Sequence, residues 1–175
     1  MVDVLKAVEL RSSTRGYTEE KLTDEELDIL IKAGLQAPTA ANKQEIHITV
    51  VDTANPILAE IEQEMLAGRD NKPANSFYYG APVLLVLSGD KNFPWSPVDA
   101  GIAVENIALA AEGLGLGSVI IGCIKGAMTG EKRGCFESAL KFPEGYEYQV
   151  AIAVGRKATG KEPHTYCIEN NVTRI

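Results

Sequence analysis

The longest apolar tract of the chain, residues 96–123, constrains the fold more than any other stretch. Ser96 is a suitable helix cap, Pro97 suits the first helical turn, and Asp99 complements the positive end of a helix. The turns that follow are apolar on almost every side, so neighbouring elements must cover this helix on more than one face. Three glycines then end the helix, and residues 118–121 predict a short buried strand. We therefore expect the remaining elements to pack around this helix and strand.

Size and charge limit the classes of partner. The carboxylates and glycines within the apolar tract argue against a membrane span, which needs about 20 apolar residues with few charges. The chain has 175 residues, a length typical of one domain with its own core. Its formal net charge of −7 argues against nucleic acid or an anionic membrane as a general partner. Any anion site must therefore be made by a local cluster of cations.

The cysteines and histidines show no metal-binding pattern. The three cysteines lack CxxC spacing, and the two histidines complete no set of zinc ligands, so no metal site is expected. An odd number of cysteines without a signal-peptide pattern predicts a reducing cytoplasm and unpaired thiols with a packing role.

Helix and strand signals predict further elements on either side of the apolar tract. Thr23 and Glu26 form a capping box that starts a second helix, and Pro38 ends that helix. Residues 46–50 alternate apolar and polar side chains, as in a half-buried strand. The other predicted elements are helices over residues 3–10, 56–66 and 131–140, strands over 82–87 and 146–154, a loop over 125–130, and a polar tail over 156–175 that either frays or lies on another surface.

Two arginines separated by hydroxyl residues follow the first helix, and we call residues 11–15 the arginine cluster. The guanidinium groups of Arg11 and Arg15 can pair with phosphate oxygens in two-pronged fashion, and the serine hydroxyls add donors. Cations after a helix end and hydroxyl residues in turns are also common, so the local pattern leaves both interpretations open.

A second loop, residues 37–44, consists of small residues and two carboxamides, and we call it the carboxamide loop. The side chains of Asn42 and Gln44 can both donate and accept hydrogen bonds, which suits the alternating edge of a heterocycle. The bare pattern is more often that of a surface turn.

Familiar nucleotide and catalytic motifs fail at specific points. Residues 155–162 come one residue short of a P-loop, because Glu162 replaces the hydroxyl that would hold Mg²⁺. The glycines at 113, 115 and 117 follow a helix and precede a strand, which is the reverse of a dinucleotide fingerprint. No paired carboxylates or nucleophile elbow stand out. The absence of a self-sufficient catalytic set points to a cofactor that brings its own chemistry.

The arginine cluster, the carboxamide loop and the apolar helix running into residues 113–118 together resemble the FMN-dependent nitroreductase family over essentially the whole chain. The resemblance implies a single domain over residues 1–175 with an α+β, three-layer α/β/α fold and a mostly antiparallel sheet. It also implies an intertwined homodimer with FMN at the interface, the tail over 156–175 wrapping the partner. The chain differs from many members in having Ser12 for a second arginine and Glu45-Ile46 for Pro-Trp after the loop.

The resemblance also implies a role for each site residue. The FMN phosphate and ribityl chain would be held by Arg11, Ser12 or Ser13, and Arg15, with Lys161 as an added cation. The flavin would be reached from the partner subunit by Pro38, Thr39, Ala40, Asn42 and Gln44. The backbone near flavin N5 would be that of Ile121, Gly122 and Cys123.

The implied activity is transfer of hydride from NAD(P)H to FMN, followed by transfer of electrons to a nitroaromatic, a quinone or a similar oxidant. No side chain is assigned as a general acid or base. Two alternatives stay open: a non-enzymatic FMN carrier or sensor, and a flavoenzyme of the same fold with another chemistry, such as dehalogenation or flavin fragmentation. Cys123, near the flavin, either packs or takes part in redox chemistry.

Overall fold

The computed structural model describes residues 3–70, 73–163 and 165–175. Its helices are α1 (Val4–Leu10), α2 (Asp24–Leu35), α3 (Ile57–Met65), α4 (Ser96–Gly113), α5 (Lys125–Thr129), α6 (Arg133–Ala139) and α7 (Ile168–Asn171). Its strands are β1 (His47–Asp52), β2 (Val83–Asp90), β3 (Gly117–Ile121) and β4 (Tyr146–Gly155).

The four strands form one sheet in the order β1-β2-β4-β3. Every neighbouring pair is antiparallel, with His47 opposite Ser88 in the first pair and Ile121 opposite Ala151 in the last. The sheet expected from the resemblance is therefore confirmed.

Helices cover both faces of the sheet and make two separate cores. Leu84 and Val86 of β2 point to one face, where they pack with residues of α3, α5 and α6. Leu85 and Leu87 point to the other face and pack against α4, with α2 beside it. Successive strand residues thus alternate between the two cores, because side chains leave a strand on opposite sides. This arrangement confirms the three-layer α/β/α fold.

The start of α4 differs by one residue from the sequence expectation. Pro97 lies in the first turn and Asp99 supplies its carboxylate, as predicted. Ser96, however, is the first helical residue and not the cap, and Trp95 occupies the cap position without a side-chain hydrogen bond. The hydroxyl of Ser96 donates instead to the carbonyl of Asp90, at 3.0 Å, because this buried side chain faces the end of β2.

The loop predicted over residues 125–130 is wrong, since α5 forms there. Gly126 and Gly130 lower the local helix propensity, which is why the sequence favours a loop. Ala127 and Met128 are nonetheless buried in the core beside α3 and the sheet. Tertiary packing therefore stabilises a turn of helix that the local sequence alone would not.

Apolar side chains stay exposed on two helices of the single chain. On α4, Ile107 and Ala111 are buried, whereas Val98 is 51% exposed and Ile102 is 37% exposed. Leu5 of α1 is 79% exposed. Complete coverage of α4 is thus not reached within one chain. Among the residues that the structure describes, no helix is both long enough and apolar enough to cross a bilayer.

Candidate functional site

Backbone hydrogen bonds hold the arginine cluster against the sheet. The N–H of Thr14 donates to the carbonyl of Ser118 at 2.9 Å, which joins the cluster to β3. The N–H of Thr18 donates to the carbonyl of Arg156 at 3.0 Å, just beyond the end of β4. Tyr17 adds a side-chain contact, because its hydroxyl donates to the carbonyl of Thr14 at 3.0 Å. Residues 14–18 are therefore fixed to β3 and to the chain just after β4.

Gly117 permits this close approach at the start of β3. A Cβ at this position would lie 2.6 Å from Oγ1 of Thr14 and 2.8 Å from Cγ of Lys157. Both distances are shorter than side-chain contacts allow, so only glycine lets the cluster sit directly on the strand. The same three segments, around residues 14, 117 and 157, thus meet at one point.

The side chains of the cluster leave donors available for an anion. Arg11 is held by Glu105 of α4, with its Nε 3.4 Å from Oε1 of the carboxylate. Within the described part of the chain, Glu105 is the only acidic residue that pairs with the guanidinium of Arg11. Arg15 is exposed, and its guanidinium carbon lies 5.7 Å from the ring centre of Tyr79.

The tail contributes a third cationic residue beside the cluster. The hydroxyl of Ser12 donates to the backbone carbonyl of Lys161 at 3.0 Å. Ser13 forms an isolated bridge with Ser118 of β3. The structure therefore brings together five predicted residues: Arg11, Ser12, Ser13, Arg15 and Lys161.

Sequence reasoning missed an ion pair beside this cluster. The Nζ of Lys157 lies 2.9 and 2.8 Å from the two carboxylate oxygens of Glu112, at the end of α4. Glu112 is buried, so the pair fixes Lys157 beside Thr14 and Gly117. No short-range pattern signals a pair whose partners are so far apart in the sequence.

The predicted backbone site lies at the opposite end of the same strand. Ile121 is the last paired residue of β3, and its carbonyl accepts a hydrogen bond of 2.8 Å from the hydroxyl of Tyr148. Burial raises the pKa of Tyr148, so this hydroxyl stays protonated. Gly122 and Cys123 follow and are exposed. Because a strand rises ~3.3 Å per residue, roughly 13 Å separate Ser118 from Gly122.

The cysteines do not play the expected packing role. Cys123 and Cys135 are exposed and Cys167 is half-buried, and all three are free thiols. Partial desolvation against the protein raises the pKa of Cys123, although the nearby Arg69 opposes this effect. The thiol form of Cys123 is therefore favoured at neutral pH.

The carboxamide loop lies at the N-terminal end of α4. The N–H of Ala40 points to the Asp99 carboxylate, 3.1 and 3.0 Å from its two oxygens. The N–H of Gln44 donates to the hydroxyl of Thr39 at 2.9 Å. Pro38, Asn42 and Gln44 are exposed. Within the described ranges no hydrogen bond or ion pair links this loop to the arginine cluster.

The residue that replaces proline after the loop is buried. Glu45 lies beside Ser96 of α4, with Oε1 of its carboxylate 3.4 Å from the serine hydroxyl. Its second oxygen, Oε2, is buried and has no hydrogen-bond partner among the described residues. This departure from the family pattern thus adds a second contact between the loop region and the first turn of α4.

Comparison with known proteins agrees with this architecture. The model of the nitroreductase family matches residues 8–156. A protein of Bacillus subtilis named FMN reductase, NAD(P)H, is 30% identical over 142 residues, which are 72% of this chain and 56% of that protein. This chain therefore spans little more than half of that relative.

A solved structure is similar over its full length. The crystal structure of a nitroreductase with bound FMN from Desulfitobacterium hafniense matches with a TM-score of 0.88 and 30% identity, covering 100% of both chains. An FMN-dependent nitroreductase from Clostridium difficile matches with a TM-score of 0.84 and 27% identity, covering 98% of both chains. With the family model matched over most of its length, this chain belongs to the nitroreductase family.

Proposed function

We propose that this chain is an NAD(P)H-dependent FMN oxidoreductase. Its family includes a relative named as an FMN reductase that uses NAD(P)H, and a solved nitroreductase with bound FMN shares its fold over the whole chain. The observation that carries the proposal is the strand β3, with a cluster of cations at its start and an exposed glycine backbone at its end. An elongated ligand with an anionic end and a flat ring suits this arrangement.

The start of β3 suits the phosphate of FMN. Among the described residues, the guanidinium of Arg11 pairs only with the carboxylate of Glu105, at 3.4 Å. Arg15 and Lys161 add two exposed cations in a chain whose net charge is negative. The hydroxyl of Ser13 would add a donor to phosphate or ribityl oxygens, whereas the hydroxyl of Ser12 already donates to the carbonyl of Lys161.

The end of β3 suits the flavin ring. FMN, when bound, supplies the ability to accept and return a hydride. The exposed backbone of Gly122 and Cys123 would orient the ring edge, and the hydrogen bond from Tyr148 to Ile121 fixes the strand that carries it. Because the pKa of Cys123 is raised, we assign this residue no thiolate chemistry.

A homodimer would complete the site. The exposed apolar residues of α1 and the first half of α4 are typical of a surface that another chain covers. The tail also exposes Tyr166, Ile168 and Val172, and we propose that it wraps the partner. Residue 164 of this tail lies outside the described residues. The carboxamide loop of one subunit would then reach the flavin held by the arginine cluster of the other.

The proposed reaction has two half-reactions at one site. The protein takes a hydride from NAD(P)H, releases the nicotinamide product, and then passes electrons to a nitroaromatic or quinone at the same face. Because both substrates use the same space, steady-state kinetics should show the parallel lines of a ping-pong mechanism.

Reduction of the purified protein under anaerobic conditions tests this function. We expect yellow protein whose flavin absorbance bleaches with NADH or NADPH and returns when a nitroaromatic or quinone is added. Rapid turnover would also exclude a non-enzymatic flavin carrier. Product analysis that finds only the reduced acceptor and intact FMN would exclude dehalogenation and flavin fragmentation. Colourless protein that takes up no added FMN would contradict the proposal.

A further inference from the structure

The backbone of the carboxamide loop is held in an unfavourable conformation. Ala41, Asn42 and Gln44 have positive φ angles of 53°, 50° and 52°. Residues with a Cβ adopt this left-handed region at an energetic cost, and alanine has no side-chain hydrogen bond to offset it. A loop with three such residues keeps its shape only where other contacts hold it.

A buried carboxylate makes the contact that ties this loop to the helix. Asp99 is 2% exposed, and both of its carboxylate oxygens lie within 3.1 Å of the N–H of Ala40. Within the described ranges this carboxylate accepts no other hydrogen bond. The hydrogen bond that this carboxylate accepts therefore holds the carboxamide loop.

We infer that Asp99 is a positioning residue, which sets the carboxamides of one subunit for the flavin held by the other subunit. The inference rests on the proposed function, because it needs FMN and a dimer. Asp99 itself would touch no reacting atom. It would fix Ala40, and through it the orientation of Asn42 and Gln44.

Removal of the carboxylate tests the positioning role. In the purified dimer, Asp99→Ala should raise the dissociation constant of FMN about 10-fold or more, since one hydrogen bond to a charged group is lost. Asp99→Asn keeps an acceptor oxygen and should cause a smaller increase, which also covers the case in which the alanine variant fails to fold. The matched control is Asp24→Ala, which removes an exposed carboxylate from the first turn of α2.

The readouts separate positioning from general stability. The melting temperature of the FMN-free dimer should change little more in Asp99→Asn than in Asp24→Ala, while the rate of FMN release rises only in the former. FMN affinity and release equal to wild type in both Asp99 variants would overturn the inference. So would a loss of FMN affinity that simply follows a loss of melting temperature.

Mixed dimers test whether the effect crosses the interface. One subunit carries Asp99→Ala, the other carries Arg11→Ala with Arg15→Ala, and two different tags allow purification of the mixed dimer. One of its sites would combine intact arginines with an intact loop, whereas the other would lack both. We expect one FMN per mixed dimer at wild-type affinity, although each variant homodimer binds FMN weakly.

The results that would overturn this inference differ from those that would overturn the proposed function. A mixed dimer without any tight FMN site would show that Asp99 acts within its own subunit, and would overturn the inference alone. Wild-type protein that is monomeric or refuses FMN would overturn the proposed function and the inference with it.

Discussion

The two loops of the candidate site are held in different ways. The arginine cluster is bonded through its backbone to β3, residues 16–18 that follow it are bonded to the chain after β4, and Gly117 brings Thr14 and Lys157 into direct contact. The carboxamide loop has a strained backbone and depends on side chains, chiefly Asp99 and Thr39. The first region should therefore respond to added bulk at the strand, and the second to the loss of single hydrogen bonds.

The largest expected effect is the loss of FMN binding when both arginines are removed. Arg11→Ala with Arg15→Ala should raise the dissociation constant of FMN by about 100-fold or more, since each arginine contributes charge-assisted hydrogen bonds of roughly 1.5 to 3 kcal/mol. The matched control is Lys6→Ala with Arg133→Ala, which removes two positive charges from exposed ion pairs. Equal FMN affinity in the two double variants would refute the phosphate site, as measured by fluorescence titration.

Added bulk at the strand should have the next largest effect. Gly117→Ala places a methyl group 2.6 Å from Oγ1 of Thr14, and we expect the free energy of unfolding to fall by about 2 kcal/mol. FMN content should fall with it, because the arginine cluster must shift away from β3. The control is Gly113→Ala, where the added carbon would meet no atom within 4 Å beyond the adjacent residues and the backbone of its own helix. Chemical denaturation that finds the two variants equally stable would contradict the close contact.

Local signals suffice for elements that neighbouring residues determine. The capping box predicts the start of α2, and it forms because the N–H of Glu26 donates to the hydroxyl of Thr23 at 3.2 Å within one turn. The short helix α5 escapes prediction, because burial of Met128 in the core overcomes two glycines. A helix start that is determined within one turn can thus be predicted from sequence, whereas a helix that is stabilised by packing on the sheet cannot.

The site is readable from sequence only in part. The residue types of the arginine cluster indicate an anion site, and the structure adds that the backbone carbonyl of Lys161 accepts a hydrogen bond from Ser12. The pair of Lys157 with Glu112 and the contact of Asp99 with the loop are not predicted, since folding brings these residues together across long stretches of sequence. Residue types therefore indicate which ligand chemistry a loop suits, but not the contacts that hold its residues in place.

Loss of the hydrogen bond within the carboxamide loop should have a smaller effect. Thr39→Val keeps the side-chain shape but removes the acceptor for the N–H of Gln44. We expect the FMN dissociation constant to rise about fivefold, in keeping with roughly 1 kcal/mol for one neutral hydrogen bond. Thr129→Val is the control, because its hydroxyl bonds only within α5. If Thr39→Val leaves FMN affinity unchanged while Asp99→Ala weakens it, the contact with α4 alone holds the loop in its binding conformation.

The smallest expected effect is a change in how the stability of the protein depends on pH, caused by Glu26. Hydrogen bonds from Thr23 and then Arg156 hold the pKa of Glu26 below its ordinary value of 4.5. Because the folded-state pKa is lowered, the stabilisation is present above that ordinary value and is lost as the pH falls through the folded-state pKa. Glu26→Gln should therefore lose stability at neutral pH and show a weaker decline in acid. The melting temperatures of the wild type and Glu26→Gln should be measured from pH 7 downward. If both fall by the same amount, the Glu26 carboxylate is not the source of the pH dependence.

The central claim is that two chains together make a flavin site, with the arginine cluster from one and the carboxamide loop from the other. Native mass spectrometry of the purified protein tests it most directly, because it reports chains and cofactors in the same particle. We expect a dimer that carries two FMN molecules and loses them when Arg11 and Arg15 are replaced. A monomer that retains FMN, or a dimer that remains without flavin after addition of FMN, would contradict the claim.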